Sequence, residues 1–235
     1  MNRQETTPAK RFPFVVCAAS ALVPCIAVQI AYLLAADFGQ VPWCNPYIDS
    51  CTSISATGRN PPASLIFKGL MLPSAVLIAL FWWLHGRWLE CAGAREARIR
   101  WMRRLGWIAC FGLAMYVAVL GEVGDLWRLQ RKIGTILFFS FTFLSQLLLA
   151  ACLLESGSHL HGSAEGVGRW MLRFCVVMLL LGVFSVIVQA ISEAWHDAIE
   201  YALEWQLALL LQINFLLCAR LWWDTPWRLH LARDE

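Results

Sequence analysis

Six long runs of apolar residues, separated by short charged segments, constrain this chain more than any other feature. The runs lie at about 14–36, 64–84, 105–124, 134–154, 171–192 and 201–222. Each is close to the roughly 20 residues a helix needs to cross about 30 Å of hydrocarbon. Composition agrees. With 59% hydrophobic and only 15% charged residues, the chain has too few charges to cover a soluble domain. The expected fold class is all-α: a polytopic integral membrane six-helix bundle, built as a single domain over residues 1–235.

Arg3, Lys10 and Arg11 precede the first run, in the manner of a signal peptide. The run itself is too long for a signal's apolar region of roughly 7–15 residues, so it is read as a retained span. Orientation follows from counting Lys and Arg. With the N-terminus inside, fourteen fall on the inner side and five on the outer. The outer five are Arg59, Lys68, Arg128, Arg131 and Lys132. The Arg-rich segment 85–104 dominates the count and is expected to be a cytoplasmic loop, giving N-in and C-in. The net charge of +3 is then a topology signal. No basic stripe interleaved with aromatics points to nucleic acid as a partner. Trp43, Trp82, Trp83, Trp101, Trp107, Trp127, Trp170, Trp195, Trp222, Trp223 and Trp227 lie near span ends, as an interfacial aromatic belt would.

The longest outer loop, 37–63, contains Pro42, Pro46, Gly58, Pro61 and Pro62, which disfavour a regular helix. It also carries Cys44 and Cys51. The outer compartment is oxidising, and Pro46 favours a turn, so a Cys44–Cys51 disulfide is expected. The alternatives are two free thiols or half of a metal site. The other seven cysteines sit in or beside spans and are read as small apolar residues. Pro24 and Pro73 fall inside spans and are expected to kink them. His159 and His161 share an inner loop but lack a third ligand nearby.

Carboxylates inside hydrocarbon cost roughly 2.5–3.5 kcal/mol each on insertion scales, so they mark candidate sites. Here they gather at the outer ends: Glu122 and Asp125 after the third span, Glu193 after the fifth, and His196, Asp197, Glu200 and Glu204 at the start of the sixth. Lys68 lies one turn into the second. His196, Glu200 and Glu204 are spaced four apart and share one helical face. A histidine and two carboxylates so placed form a candidate divalent-metal site, where a bound water would become a nucleophile at neutral pH. The competing reading is structural. Asp197 and Glu200 match a capping box starting the sixth helix, and acidic residues suit a helix N-terminus. Gln29, Gln146, Gln189, Gln212 and Asn214 lie deeper and are expected to hydrogen-bond between helices. No nucleophile elbow, P-loop, dinucleotide fingerprint or H-E-x-x-H motif is present.

Two segments carry a family likeness. One is "NPYIDSCTSISATGRNPP" leading into "SLIFKGLMLPSAV"; the other is "EYALEWQLALLLQINFLLCARLWWD". Both resemble the FRAG/DRAM/SFK family of six-span membrane proteins through Pro46, Tyr47, Ile48, Ser53, Ser55, Gly58, Pro61 and Pro62, then Glu200, Tyr201, Trp222, Trp223 and Asp224. One departure stands at the start of the fourth span. Family members tend to carry a histidine there, and this chain has Gln130 and Lys132. The resemblance implies lipid business at a periplasmic or lumenal face. Relatives act in remodelling of glycosylphosphatidylinositol lipid anchors, in phospholipid distribution, and in lysosomal membrane and autophagy regulation.

The leading expectation is a lipid-interacting protein of a bacterial inner membrane or a eukaryotic secretory or endolysosomal membrane. It would hold a phospholipid or glycolipid headgroup with Ser55, Gly58, Arg59, Lys68, Glu122, Asp125, Arg131, Glu200 and Glu204. Membrane lipids are the expected partners. A metal-dependent membrane hydrolase or acyl-transfer enzyme is the alternative, with His196, Glu200 and Glu204 as metal ligands. A structural subunit among other membrane proteins is a third.

Overall fold

A computed structural model of the chain describes residues 8–155 and 163–224. These residues form seven helices and no strand: α1 (Pro8–Asp37), α2 (Ile54–Thr57), α3 (Ala63–Cys91), α4 (Glu96–Ala118), α5 (Asp125–Glu155), α6 (Ser163–Ile191) and α7 (Glu193–Asp224). Arg3, His159, His161 and Trp227 lie outside the described residues. Five helices, α1, α3, α5, α6 and α7, are long and apolar enough to cross a membrane. The sixth long helix, α4, falls short of that measure. Glu96, Arg98, Arg100, Arg103 and Arg104 occupy its first half, and it ends at Ala118 rather than near residue 124.

The six long helices close into a ring. α1 packs on α3, α3 on α4, α4 on α5, α5 on α6, α6 on α7, and α7 returns to α1, while α2 bridges α1 and α7. In lipid no hydrophobic force draws helices together, so close packing and hydrogen bonds must do so. On α1, Ala27, Ala31 and Ala35 recur every four residues and are fully buried, giving its neighbours a smooth face. α4 and α5 approach each other backbone to backbone. A Cβ added to Gly134 would sit 2.7 Å from the Gly112 carbonyl oxygen and 2.8 Å from the Tyr116 Cβ. Only glycine on both helices permits that approach.

Of the deep polar residues, Gln146 and Asn214 bond across helices as expected, Gln29 bonds Tyr47 of the loop, and Gln189 is instead exposed on α6. The Gln146 amide donates to the Leu211 carbonyl (3.0 Å), and the Asn214 amide donates to the Gln146 carbonyl oxygen (3.0 Å). Pro24 sits within α1 and cannot donate to the Ser20 carbonyl one turn earlier. The Gln212 amide from α7 fills that role: assigned with its nitrogen toward α1, the orientation its surroundings require, it donates to the carbonyls of Ser20 (3.3 Å) and Ala21 (3.1 Å). His85, fully buried, has Nδ1 2.9 Å from the Phe81 carbonyl oxygen, while its Nε2 accepts from the Trp222 indole (3.3 Å).

Three expectations change. The Arg-rich segment 85–104 is mostly helix: α3 continues to Cys91, α4 begins at Glu96, and only 92–95 turn. Ion pairs stitch this end together, Glu90 taking Arg87 (3.0 Å) and Arg103 (2.9 Å), and Arg98 meeting Glu155. Trp82 and Trp222 are core residues rather than belt residues, whereas Trp43, Trp101, Trp107, Trp127, Trp170, Trp195 and Trp223 are exposed. Finally, α7 starts at Glu193, with the Ser192 hydroxyl accepting from the Trp195 N–H (3.4 Å). The capping box at Asp197 is therefore not a helix start.

Candidate functional site

Loop 38–53, α2 and the α4–α5 and α6–α7 turns all meet at one end of the ring, opposite the Arg-rich end. The disulfide between Cys44 and Cys51 is present. Its loop is clasped to the bundle by side chains. The Tyr32 hydroxyl donates to the Cys44 carbonyl (2.6 Å) and accepts from the Cys44 N–H (2.9 Å). From α7, the Trp205 indole donates to the Thr52 carbonyl (2.8 Å) and the Gln206 amide to the Tyr47 carbonyl (2.9 Å). The Ser50 hydroxyl accepts from the N–H groups of Tyr201 and Ala202. Gln29 hydrogen-bonds the Tyr47 phenol. Burial pushes that phenol above its ordinary pKa, with Cys25 adding in the same sense and the Gln29 bond opposing.

Beneath α2 lies a chamber of about 50 Å³, lined by Ile54, Phe67, Tyr116, Thr135, Glu204 and Gln212 among others. Glu204 is partly buried and faces the Ile54 N–H of α2. Among the described residues, no Lys or Arg nitrogen lies within 4.0 Å of its carboxylate. Tyr116 shares the chamber. The volume is several times the roughly 10–15 Å³ one water requires, so it admits a hydroxyl, an amine or a few waters, but not a whole headgroup. A smaller space of about 30 Å³ adjoins it beneath Tyr47 and shares Pro24, Val28, Ile54, Ala208 and Gln212.

The expected site residues divide into groups. Glu204 faces the chamber. Arg131 reaches the end of α4, where its guanidinium donates to the carbonyls of Val119 (3.2 Å) and Glu122 (2.7 Å). Glu122 takes part through that carbonyl while its side chain is exposed. Asp125 is exposed and pairs with Arg128 at 3.7 Å. Ser55 bonds the Ser53 hydroxyl (3.1 Å), which also accepts from the Ala56 N–H at the start of α2. Gly58 is a packing residue, since a Cβ there would meet the Phe67 ring at 2.6 Å. The Arg59 carbonyl lies 2.7 Å from where a Gly121 Cβ would be, and Gly121 has φ +94°, a turn conformation that favours glycine. Lys68 is partly buried beside Phe67 and does not line the chamber.

The expected metal set is split as well. His196, Asp197 and Glu200 bring one ligand atom each within 4.8 Å of one another, and Glu204 is not in that group. The Nε2 of His196 is 3.2 Å from the Ser185 hydroxyl of α6. Sequence reasoning did not single out Tyr116, Thr135 or Trp205. Tyr116 and Thr135 lie inside apolar runs and came to the chamber through the Gly112–Gly134 contact. That glycine pair was the available signal.

Apolar helices of spanning length, closed into a ring with polar groups turned inward, define a polytopic integral membrane protein. A family model described as Frag1/DRAM/Sfk1/Cwh43P N-terminal domain matches residues 12–225, and the chain belongs to that family. No curated protein and no solved structure matches it.

Proposed function

We propose that this is a lipid-interacting membrane protein that binds, or helps remodel or distribute, a phospholipid or glycolipid at the face carrying loop 37–63. The observation that supports it is Glu204, a carboxylate with no Lys or Arg nitrogen within 4.0 Å among the described residues, lining with Tyr116 a small chamber at the loop end of the ring. An ionisable group within a span is costly and is kept where it meets a ligand or an ion. A lipid hydroxyl or amine donated to Glu204 fits the chamber's size. Arg59, Lys68 and Arg131 supply positive charge for a phosphate on the same side of the molecule.

In this reading all six long helices span, the short apolar part of α4 being extended by arginine stems that reach back to the interface. Both chain ends are cytoplasmic and the disulfide lies in an oxidising compartment. The branch concerned with glycosylphosphatidylinositol lipids is one candidate setting within the family. Lipid mass spectrometry of the purified protein tests the reading. A defined lipid should co-purify, and Glu204→Gln should retain several-fold less of it. No retained lipid, or equal retention by the variant, would refute it. For orientation, exposed Cys91 at the Arg-rich end should resist a membrane-impermeant maleimide applied from outside.

A second reading rests on His196, Asp197 and Glu200. Their mixed nitrogen and oxygen donors suit a divalent cation, which would supply Lewis-acid chemistry to a lipid ester or amide. Metal analysis after chelator treatment and reloading tests it. No stoichiometric metal removes it.

A further inference from the structure

The flank of the ring between α5, α6 and α7 carries an apolar groove of about 340 Å³, lined by Ser140, Phe143, Leu144, Met178, Leu179 and Leu207 among others. That size lies within the roughly 300–1,000 Å³ of small-molecule pockets. The groove exists because α6 packs along only part of its length. Its buried residues run from Ala164 to Met178, and beyond them Leu180, Val183, Phe184, Val186, Ile187 and Ile191 are exposed. At its far end α6 is tied to α7 by the Ser185–His196 contact. The two helices therefore meet at the loop end while leaving α5 partly uncovered lower down.

Phe139 and Leu211 line both this groove and the Glu204 chamber. They form the wall between a lipid-facing surface and the internal carboxylate. The order along α7 gives the direction. Glu204, Leu207 and Leu211 recur at helical spacing, and Leu211 lies about 10 Å deeper than Glu204 at 1.5 Å per residue. On α5 the same order holds: Thr135 lines the chamber, then Phe139, then Ser140, Phe143 and Leu144. The polar element is on the interface side and the apolar element on the midplane side. An amphiphile in a bilayer leaflet has this arrangement, with its head at the surface and its chain toward the centre.

We infer that the groove between α5, α6 and α7 holds one acyl chain of a membrane lipid. The lipid enters laterally from the leaflet on the loop side and presents one hydroxyl or amine of its polar end, between Phe139 and Leu211, to Glu204. This rests on the lipid reading above and adds the path and the seat of the chain. Access from the loop side is not needed, because the groove opens on the flank of the ring and shares Phe139 and Leu211 with the chamber.

The test uses the full chain in lipid bilayers, with a phospholipid carrying a diazirine at mid-chain. Illumination and peptide mass spectrometry should place adducts on residues 139–144 and 207–211. These should exceed, several-fold, those on the exposed α1 residues Leu22, Ile26 and Leu33. Ser140→Trp fills the groove from an exposed position and should cut both adducts and co-purified lipid at least five-fold. Ile136→Trp, exposed on the same helix but outside the groove, should change neither. If Ser140→Trp is not monodisperse, Leu144→Trp serves the same purpose. Adducts spread equally over α1 and the groove would overturn the inference and make the groove ordinary annular surface. If lipid retention depends on Glu204 but not on Ser140 or Leu144, the lateral path fails while the lipid reading stands. If retention depends on none of them, both fail.

Discussion

Gly134→Ala should destabilise this protein although it replaces glycine within a helix. At an open helical position alanine gains roughly 0.5–1 kcal/mol over glycine. At Gly134 the added Cβ would lie 2.7 Å from the Gly112 oxygen, 2.8 Å from the Tyr116 Cβ and 2.9 Å from the Tyr116 nitrogen. All three are backbone or stem atoms, so no side chain can rotate away. Carbon–oxygen contacts settle at about 3.3–3.6 Å, so α4 and α5 must separate by the better part of an ångström. Overpacking of this kind costs about 1–3 kcal/mol. After the helix-propensity gain the net loss centres near about 1 kcal/mol and reaches at most about 2.5, a factor of roughly 5 in the folded-to-unfolded ratio at the centre. Gly69 and Gly182 have nothing within 4 Å of an added Cβ, so alanine there should be neutral or stabilising. Thermal unfolding in one detergent, read by tryptophan fluorescence and size exclusion, compares the three variants. The opposite sign at Gly134 is the prediction. If Gly134→Ala is as stable as Gly69→Ala, the α4–α5 contact is not the close seam described here.

Gln212→Leu should cost about 1 kcal/mol, since it leaves the Ser20 carbonyl without a donor, and close to nothing alongside Pro24→Ala, whose new N–H replaces the amide; a double-mutant cycle by thermal unfolding measures it. Gln146→Leu or Asn214→Leu alone should destabilise by roughly 1 kcal/mol by stranding the partner amide, and the double variant should recover part of the loss. Reducing the Cys44–Cys51 bond removes a short-loop constraint of about 2 kcal/mol, acting on the lid. The expected result is faster proteolysis within 38–53, with the helices still intact by circular dichroism. Replacing Trp205 by Phe breaks the bond to Thr52 and should loosen the same loop without altering the disulfide, seen as faster amide exchange there.

The sequence by itself determined that the chain is helical and made for a membrane. Long apolar runs leave no other way to satisfy backbone groups in lipid, and the family motifs in 46–62 and 200–224 agreed. It also marked Cys44 with Cys51, which follows from local chemistry, and offered Glu204 as one of several carboxylates at the outer ends of the spans. Only the tertiary structure decided which polar residues meet. Glu122 and Asp125 were expected beside Glu204, but their side chains are exposed, since the α4–α5 turn carries them outward and hands the work to backbone carbonyls. His196 and Glu200 kept company with Asp197 instead of Glu204, and Tyr116 entered the chamber because two glycines let α4 and α5 touch. Helical spacing says which residues share a face; the rotation of each helix in the ring, set by packing against two neighbours, says what that face looks at.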